Sequence, residues 1–364
     1  MKNTEYLSKK IVCAILPAYN EEENIEKSIK GLMAQSHPLD RIVIVNDFST
    51  DNTVEIVKRL EVDYFPKIKL VNTITKNLRA GAINVGIDYI NRLIPNCDFV
   101  LIADSDSCFE KNLVLEGIKS LRKENIAGVC SVAGVLKPVF YKKDRIIFNI
   151  EKWILWRLHK LEYAGFDSTR IATWKNVLIL HGLCSMFRFS AIKKVGGYTP
   201  NHLLEDYKLT INLKKAGFKT FFNPRMIAET KVPSTFKSLI RQRLRWMRGG
   251  VQIILEEGIN KYTLEDFFNH VLFILMTIVI FTIVILQSTQ QGWHIQLSNN
   301  ILPMTLAIFG YLYSIYNLKY VKNLDLIDII IRLLIIPELV ISIIYSCLQF
   351  YAYYMTIFKI KQNW

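Results

Sequence analysis

Phe99-Val100-Leu101-Ile102-Ala103-Asp104-Ser105-Asp106 runs from apolar residues straight into two acids separated by one small residue. The apolar part is short enough for a buried strand. The acids fall at its end, where two carboxylates one residue apart can both turn toward one hard cation. Mg²⁺ or Mn²⁺ is held this way, by one or two carboxylates plus the phosphates of a substrate. Alone, an Asp-Ser-Asp is more readily a solvated turn after a strand, so the flanking sequence decides between the two readings.

Upstream, strand and helix patterns alternate. Ile11 to Leu16 is a short apolar run stopped by Pro17, and it reads as a central first strand. Asn20 reads as the N-cap of the next helix, with Glu23 completing a capping box. That helix repeats Ile25, Ile29, Leu32 and Met33 on one face. Arg41 to Asn46 is a second strand, and Thr50 or Asp51 caps a helix carrying Val54, Ile56, Val57 and Leu60. Ile68 to Val71 makes a third strand, Arg79 to Leu93 a helix, and the run ending at Asp104 the fourth strand. This alternation predicts an α/β domain, a mainly parallel sheet with helices on both faces. Ligands of such sheets bind at the carboxyl ends of the strands, and the acids there are Asp47, Asp104 and Asp106.

Composition divides the 364-residue chain. Its mean hydropathy is high, +0.20, because long stretches after Phe267 are nearly free of charge. A cytosolic domain over 1–235, interfacial amphipathic helices over 236–264 and a transmembrane domain over 265–364 follow from that shift. Spans are expected at 267–286, 301–318 and 338–358, since about 20 apolar residues cross the hydrocarbon. The uncharged 287–300 loop reads as external and Lys319 with Lys322 as cytosolic. An interfacial helix is expected to about Ile336. Lys359 and Lys361 then fall outside, against the rule. The net charge of +14 suits an anionic bilayer surface, an anionic substrate or nucleic acid; the bilayer is the plainest of the three, because many Lys and Arg lie near the apolar segments. Six cysteines without metal-like pairing read as reduced thiols. Met1 to Lys10 lacks the apolar core of a signal peptide.

Four further stretches stand out. Residues 137–163 combine Lys137, Lys142, Lys143 and Arg145 with Phe148, Trp153, Ile154 and Trp156. They suit a helix packed on the domain or one lying near the membrane surface or acceptor path. His181-Gly182-Leu183-Cys184-Ser185-Met186-Phe187-Arg188 offers small residues that allow close approach to the backbone. Leu204-Glu205-Asp206-Tyr207 places acids at a helix start, which the helix dipole favours. Between Lys237 and Arg248 lie five basic residues and no acid, interleaved with aromatic and aliphatic ones. Such a helix suits the plane of an anionic bilayer.

Pro17-Ala18-Tyr19-Asn20-Glu21, Asn46-Asp47-Phe48-Ser49-Thr50-Asp51 and Ala103-Asp104-Ser105-Asp106, in order and each at a strand end, resemble the nucleotide-sugar motifs of family 2 glycosyltransferases of the GT-A fold. Gln242-Arg243-Leu244-Arg245-Trp246 resembles the Gln-x-x-Arg-Trp signature of the membrane-embedded synthases of cellulose, chitin, hyaluronan and poly-N-acetylglucosamine. The resemblance covers residues 11 to about 250. It implies that Asp47 accepts from the uracil N3–H, and that Pro17, Tyr19, Asn20 and Glu21 line the nucleoside pocket. Lys76 and Arg79 lie near uridine or phosphate, and Asp104 and Asp106 hold Mg²⁺ or Mn²⁺ on the diphosphate. The pair Glu205 and Asp206 supplies the catalytic base, Asp206 being the usual choice; Leu204 stands where many members have Thr. Arg245 donates to the departing diphosphate. His181, Gly182, Gln242, Arg243 and Trp246 face the acceptor.

These implications describe an inverting, metal-dependent transferase that extends a β-linked polysaccharide from a UDP-sugar, multi-pass in the cell membrane with its catalytic domain in the cytosol. The partners are the UDP-sugar, a glycan or glycolipid acceptor and the lipid bilayer, with no nucleic acid. Three spans form a thin conduit, so export would call for a second copy or an export partner. Two rivals are a single addition onto a lipid carrier, and a non-catalytic membrane transport or scaffold protein that only senses UDP-sugar. The former fits the absence of the N-terminal spans usual in the synthases; intact Asp104, Asp106, Asp206 and Arg245 argue against the latter.

Overall fold

The computed structural model describes residues 10–141, 145–173, 176–289 and 301–360, and these form two compact units, Met1–Leu239 and Ile240–Trp364. The first is built on eight strands: β1 (Val12–Ala18), β2 (Arg41–Asn46), β3 (Ile68–Asn72), β4 (Phe99–Ala103), β5 (Cys108–Phe109), β6 (Ile126–Val135), β7 (Cys184–Arg188) and β8 (Lys219–Thr230). Their order in the sheet is β3-β2-β1-β4-β7-β6-β8-β5. Helices α1 (Ile25–Met33), α2 (Thr53–Asp63), α3 (Leu78–Leu93), α4 (Leu113–Ser120), α5 (Ile146–Thr173), α6 (Phe189–Lys194) and α7 (Glu205–Lys215) belong to the same unit.

Because β1 is covered on both faces, it reads as a continuous apolar run. Val12, Ala14 and Leu16 enter one core with Ile29, Leu32 and Leu101. Cys13 and Ile15 enter the other with Ile83, Ile87 and Val100. Each fully buried aliphatic side chain contributes about 1.5–3 kcal/mol, so both layers hold β1 and β4 firmly beneath the strand ends.

The sheet is mixed where a mainly parallel one was expected. β1, β2, β3 and β4 pair parallel, but β7 runs against both β4 and β6. The cause is the direction of entry: Cys184 pairs with Ala103, so β7 begins at the edge where β4 ends. That reversal brings residues 181–183 beside Asp104, whose N–H donates to the Leu183 carbonyl at 3.0 Å.

Helix starts also differ from expectation. Asn20 is not an N-cap; it sits in the left-handed region at φ 57°, and its Oδ1 accepts from the Thr50 N–H at 2.7 Å. The cap position of α1 is Asn24, without a side-chain cap bond. Glu23 therefore closes no capping box, and its carboxylate instead accepts from Lys231 Nζ at 3.2 Å. The turn after β1 needs a left-handed residue, and Asn tolerates that conformation better than most. At α2 the cap position is Asn52, while Asp51 Oδ1 accepts from the Thr53 N–H at 3.0 Å.

The second unit continues α8 (Phe236–Glu257) and adds α9 (Leu264–Thr289), α10 (Ile301–Tyr316), α11 (Leu326–Leu333) and α12 (Ile335–Ile357). Asp325 and Asp328 form a full capping box at the start of α11. Leu244, Ala352 and Met355 form a small buried cluster with Met247 and Ile360 around it. Among the described residues one helix is long and apolar enough to cross a membrane, Leu339–Ile357. The first two expected spans fall on α9 and α10, where several side chains lie outside the described residues, as do residues 290–300 of the uncharged loop and Lys361.

Gly86 tests the packing of α3 on the sheet, because a Cβ there would lie 2.7 Å from Cγ2 of Ile15. Replacing a mid-helix Gly by Ala ordinarily gains about 0.5–1 kcal/mol. Ile15 is fully buried and cannot yield, so the overpacking cost of about 1–3 kcal/mol wins. Gly86→Ala is expected to lower the denaturant midpoint of the first unit; a raised midpoint would show that the α3–β1 contact is loose.

Candidate active site

Asp104 and Asp106 follow β4 directly, and Glu205 and Asp206 open the first turn of α7. A single guanidinium joins these elements. Arg79, in the first turn of α3, donates from Nε to Asp104 Oδ1 at 2.9 Å and from Nη1 to Glu205 Oε1 at 2.9 Å. Its Nη2 donates to the Gly182 carbonyl at 2.6 Å. On the other side of that residue, the Gly182 N–H donates to Asp206 Oδ2 at 3.0 Å. Gly182 has to be glycine for this approach: a Cβ would stand 2.9 Å from Arg79 Nη2. Burial works against charge on Arg79, but the Asp104 and Glu205 carboxylates outweigh it and hold the guanidinium protonated. Tyr198 is buried in the same cluster, and burial pushes its phenol up.

Asp106 has different company. Burial, then the Asp104 and Glu21 carboxylates, push it up to about 7, while the Thr230 hydroxyl donates to its Oδ1 at 3.1 Å. Glu21 is itself raised, chiefly by burial. Like charges crowded this way favour a cation among them. Among the described residues, no three or more His, Cys, Asp or Glu are placed to hold a metal by themselves. Two carboxylates completed by the oxygens of a diphosphate fit a hard divalent ion, so the donor set suits Mg²⁺ or Mn²⁺.

Other strand ends carry further candidate residues. Asp47 is buried, and its Oδ1 accepts from Thr73 Oγ1 at 3.0 Å and from the Asn77 N–H at 2.8 Å. Its Oδ2 has no hydrogen-bond partner among the described residues. Lys76 Nζ lies over the ring of Tyr19, 4.0 Å from its centre, and Tyr19 is about half exposed. Pro17 pairs with Val45 inside the sheet.

His181 is fixed from below by an Nε2 contact to the Ser131 carbonyl at 2.7 Å. A carbonyl only accepts, so Nε2 carries the proton and Nδ1 is bare; that buried nitrogen has no partner among the described residues. Burial, then the Arg170 and Arg79 charges, lower its pKa to about 3.

In the second unit, Arg243 is only 2% exposed. Its Nε donates to the Tyr345 hydroxyl at 3.1 Å and its Nη1 to Gln242 Oε1 at 2.8 Å. Its guanidinium also lies 4.2 Å from the centre of the Trp246 ring. Arg245 stands on the same helix, α8. Sequence patterns gave no sign of the Arg79 bridge, of Thr230 beside Asp106 or of Tyr345 beside Arg243.

Residues 13–196 match the family described as Glycosyl transferase family 2, and the chain belongs to that family. It is 32% identical over 253 residues to the probable glycosyltransferase YdaM of Bacillus subtilis, a match covering 67% of this chain and 56% of that protein. It is 26% identical over 248 residues to the poly-β-1,6-N-acetyl-D-glucosamine synthase of Staphylococcus epidermidis, covering 67% and 55%. The chain thus spans about half the length of the curated relatives it matches. In fold it is similar to the mannosyltransferase PcManGT from Pyrobaculum calidifontis, solved with GDP-Man and Mn²⁺. That match has a TM-score of 0.54 at 15% identity and covers 99% of this chain and 94% of that one.

The His181 geometry has a pH consequence. With its folded pKa at about 3, below the ordinary value of about 6.5, the unfolded chain binds the extra proton first. The contribution to stability is complete above about pH 6.5 and falls as the pH drops toward the folded value. In ¹⁵N-histidine spectra the His181 ring is expected to stay neutral, protonated on Nε2, from pH 8 down to about 4.5. Titration near its ordinary value would contradict the buried placement.

Proposed function

We propose that the chain is an inverting transferase that moves a sugar from a UDP-sugar onto a growing β-linked polysaccharide at the membrane. The observation that carries this reading is the direct link from Asp104 through Arg79 and Gly182 to Asp206. It sets a carboxylate suited to a metal diphosphate beside one suited to an acceptor hydroxyl. The 26% identity to a synthase of poly-β-1,6-N-acetyl-D-glucosamine supports the polymeric product.

Asp47 offers its open Oδ2 to the uracil N3–H, and Pro17, Tyr19, Asn20, Glu21 and Lys76 surround the nucleoside and phosphates. Asp104 and Asp106 would hold Mg²⁺ or Mn²⁺ together with the diphosphate, and the cation would supply positive charge against the negative charge building there. Asp206 takes the proton of the acceptor hydroxyl as that oxygen bonds to the anomeric carbon. The bond from that carbon to the UDP oxygen breaks on the opposite face, and its electron pair leaves with UDP. An α-linked donor so yields a β-linked product. Glu205, neutralised by Arg79, is a less available base. Arg245 as a donor to the leaving diphosphate, and Gln242 and Trp246 on the acceptor side, belong to the same reading on the strength of the sequence motif; Arg243, buried against Tyr345, drops out of the acceptor set. So does multi-pass insertion, for which the Leu339–Ile357 helix is the support in hand.

Asp206→Asn is expected to bind UDP normally while transfer falls about 10²–10⁴-fold, the usual cost of losing a general base. Normal turnover in a correctly folded variant would move the base elsewhere. Purified protein in lipid, given a panel of UDP-sugars, should make products longer than one sugar only when Mg²⁺ or Mn²⁺ is present. Trp246→Ala should shorten them. A one-sugar adduct on lipid with every donor would replace the polymer reading with single addition, and synthesis in excess chelator would remove the metal from the mechanism.

A further inference from the structure

The family resemblance places Arg79 near uridine or phosphate, yet every nitrogen of its guanidinium has another partner in the fold. Nε meets Asp104, Nη1 meets Glu205 and Nη2 meets the Gly182 carbonyl, all within 2.9 Å. These partners lie 25, 126 and 103 residues away in the chain. They are the end of β4, the start of α7 and the segment leading into β7. The planar fork fixes direction as well as distance. Holding the Gly182 carbonyl sets the backbone of that residue, and its N–H then points at Asp206 Oδ2 at 3.0 Å.

We propose that Arg79 is a positioning residue for the base, fixing the Gly182 backbone that aims Asp206 while holding Asp104 on the donor side. The proposal rests on the reading of Asp206 as the base. Glu205 is the counter-ion in this arrangement: it is 6% exposed, and such a carboxylate is tolerated only when paired. Gly182 is the second half of the device, since any side chain there would displace the guanidinium. Asp206 Oδ1 accepts from the Tyr207 N–H at 2.8 Å, so both carboxylate oxygens are oriented by backbone N–H groups.

The device can be perturbed from either side. Arg79→Lys keeps the charge but replaces the fork with a single ammonium that cannot span three separated acceptors. Gly182→Ala keeps Arg79 and forces its guanidinium away. In the full chain in lipid, both variants should retain UDP affinity within about threefold by calorimetry without divalent metal, a condition that leaves the Asp104–metal contact out, while kcat with Mn²⁺ falls about 10²-fold, the scale of a 1 Å misplacement. The double variant should be no worse than the more damaged single one, because both changes break the same Arg79–Gly182 link. Hydrogen exchange needs no donor: peptides covering residues 181–186 should exchange about tenfold faster in each variant, with β2 unchanged.

UDP affinity falling in step with kcat/KM would make Arg79 a phosphate ligand and overturn the proposal. Unchanged kcat, or unchanged exchange at 181–186 in both variants, would overturn it as well. Should the wild-type chain transfer from no UDP-sugar, the functional reading fails, and exchange alone decides whether Arg79 fixes the Gly182 backbone.

Discussion

Crowding of carboxylates is the constraint on which the site depends. Asp106 feels the Asp104 and Glu21 carboxylates, and Arg79 feels those of Asp104, Glu205 and Asp206; such a group is stable only with positive charge among its members. Arg79 supplies it on the side of Asp104 and Glu205. On the side of Asp106, burial and then the Asp104 and Glu21 carboxylates push that carboxyl up to about 7. The two sides differ: a fixed guanidinium holds the scaffold on one, and the other has the donor set that would suit a divalent cation with a diphosphate. Both need β1 and β4 to be rigid, which the two cores on either face provide.

The reversed β7 is the topological counterpart of that constraint. A parallel strand beside β4 would enter at the opposite edge and carry residues 181–183 away from Asp104. Entering antiparallel, with Cys184 against Ala103, it delivers Gly182 to Arg79 and positions Asp206 through one N–H. Gly182 and the strand direction thus act together. His181, held on the Ser131 carbonyl of β6, pins the same segment from beneath.

Much of this was legible in the chain itself. The first four strands and the acids at their ends follow from apolar runs broken by turn residues, a local signal. The direction of β7 is not local: five residues, Cys184–Arg188, look alike as strand or loop until their neighbours are known. Asn20 was misread because Asn serves equally as a helix cap and as a left-handed turn residue, and the distant Thr50 N–H selects the second use. The Arg79 bridge was invisible because its partners lie up to 126 residues away. Arg243, expected to face the acceptor from a basic helix, is buried against Tyr345, 102 residues later. Charge patterns reveal which residues are available for chemistry; burial, which only the fold supplies, reveals which are already engaged.

The most direct test is a crystal structure of the chain grown with a UDP-sugar and Mn²⁺, with anomalous scattering used to locate the ion. The expected result is one Mn²⁺ shared by Asp104, Asp106 and the diphosphate, with Asp206 facing the anomeric carbon from the side opposite UDP. A bound nucleotide whose diphosphate has no ion on either carboxylate, or whose anomeric carbon is turned away from Asp206, would contradict it.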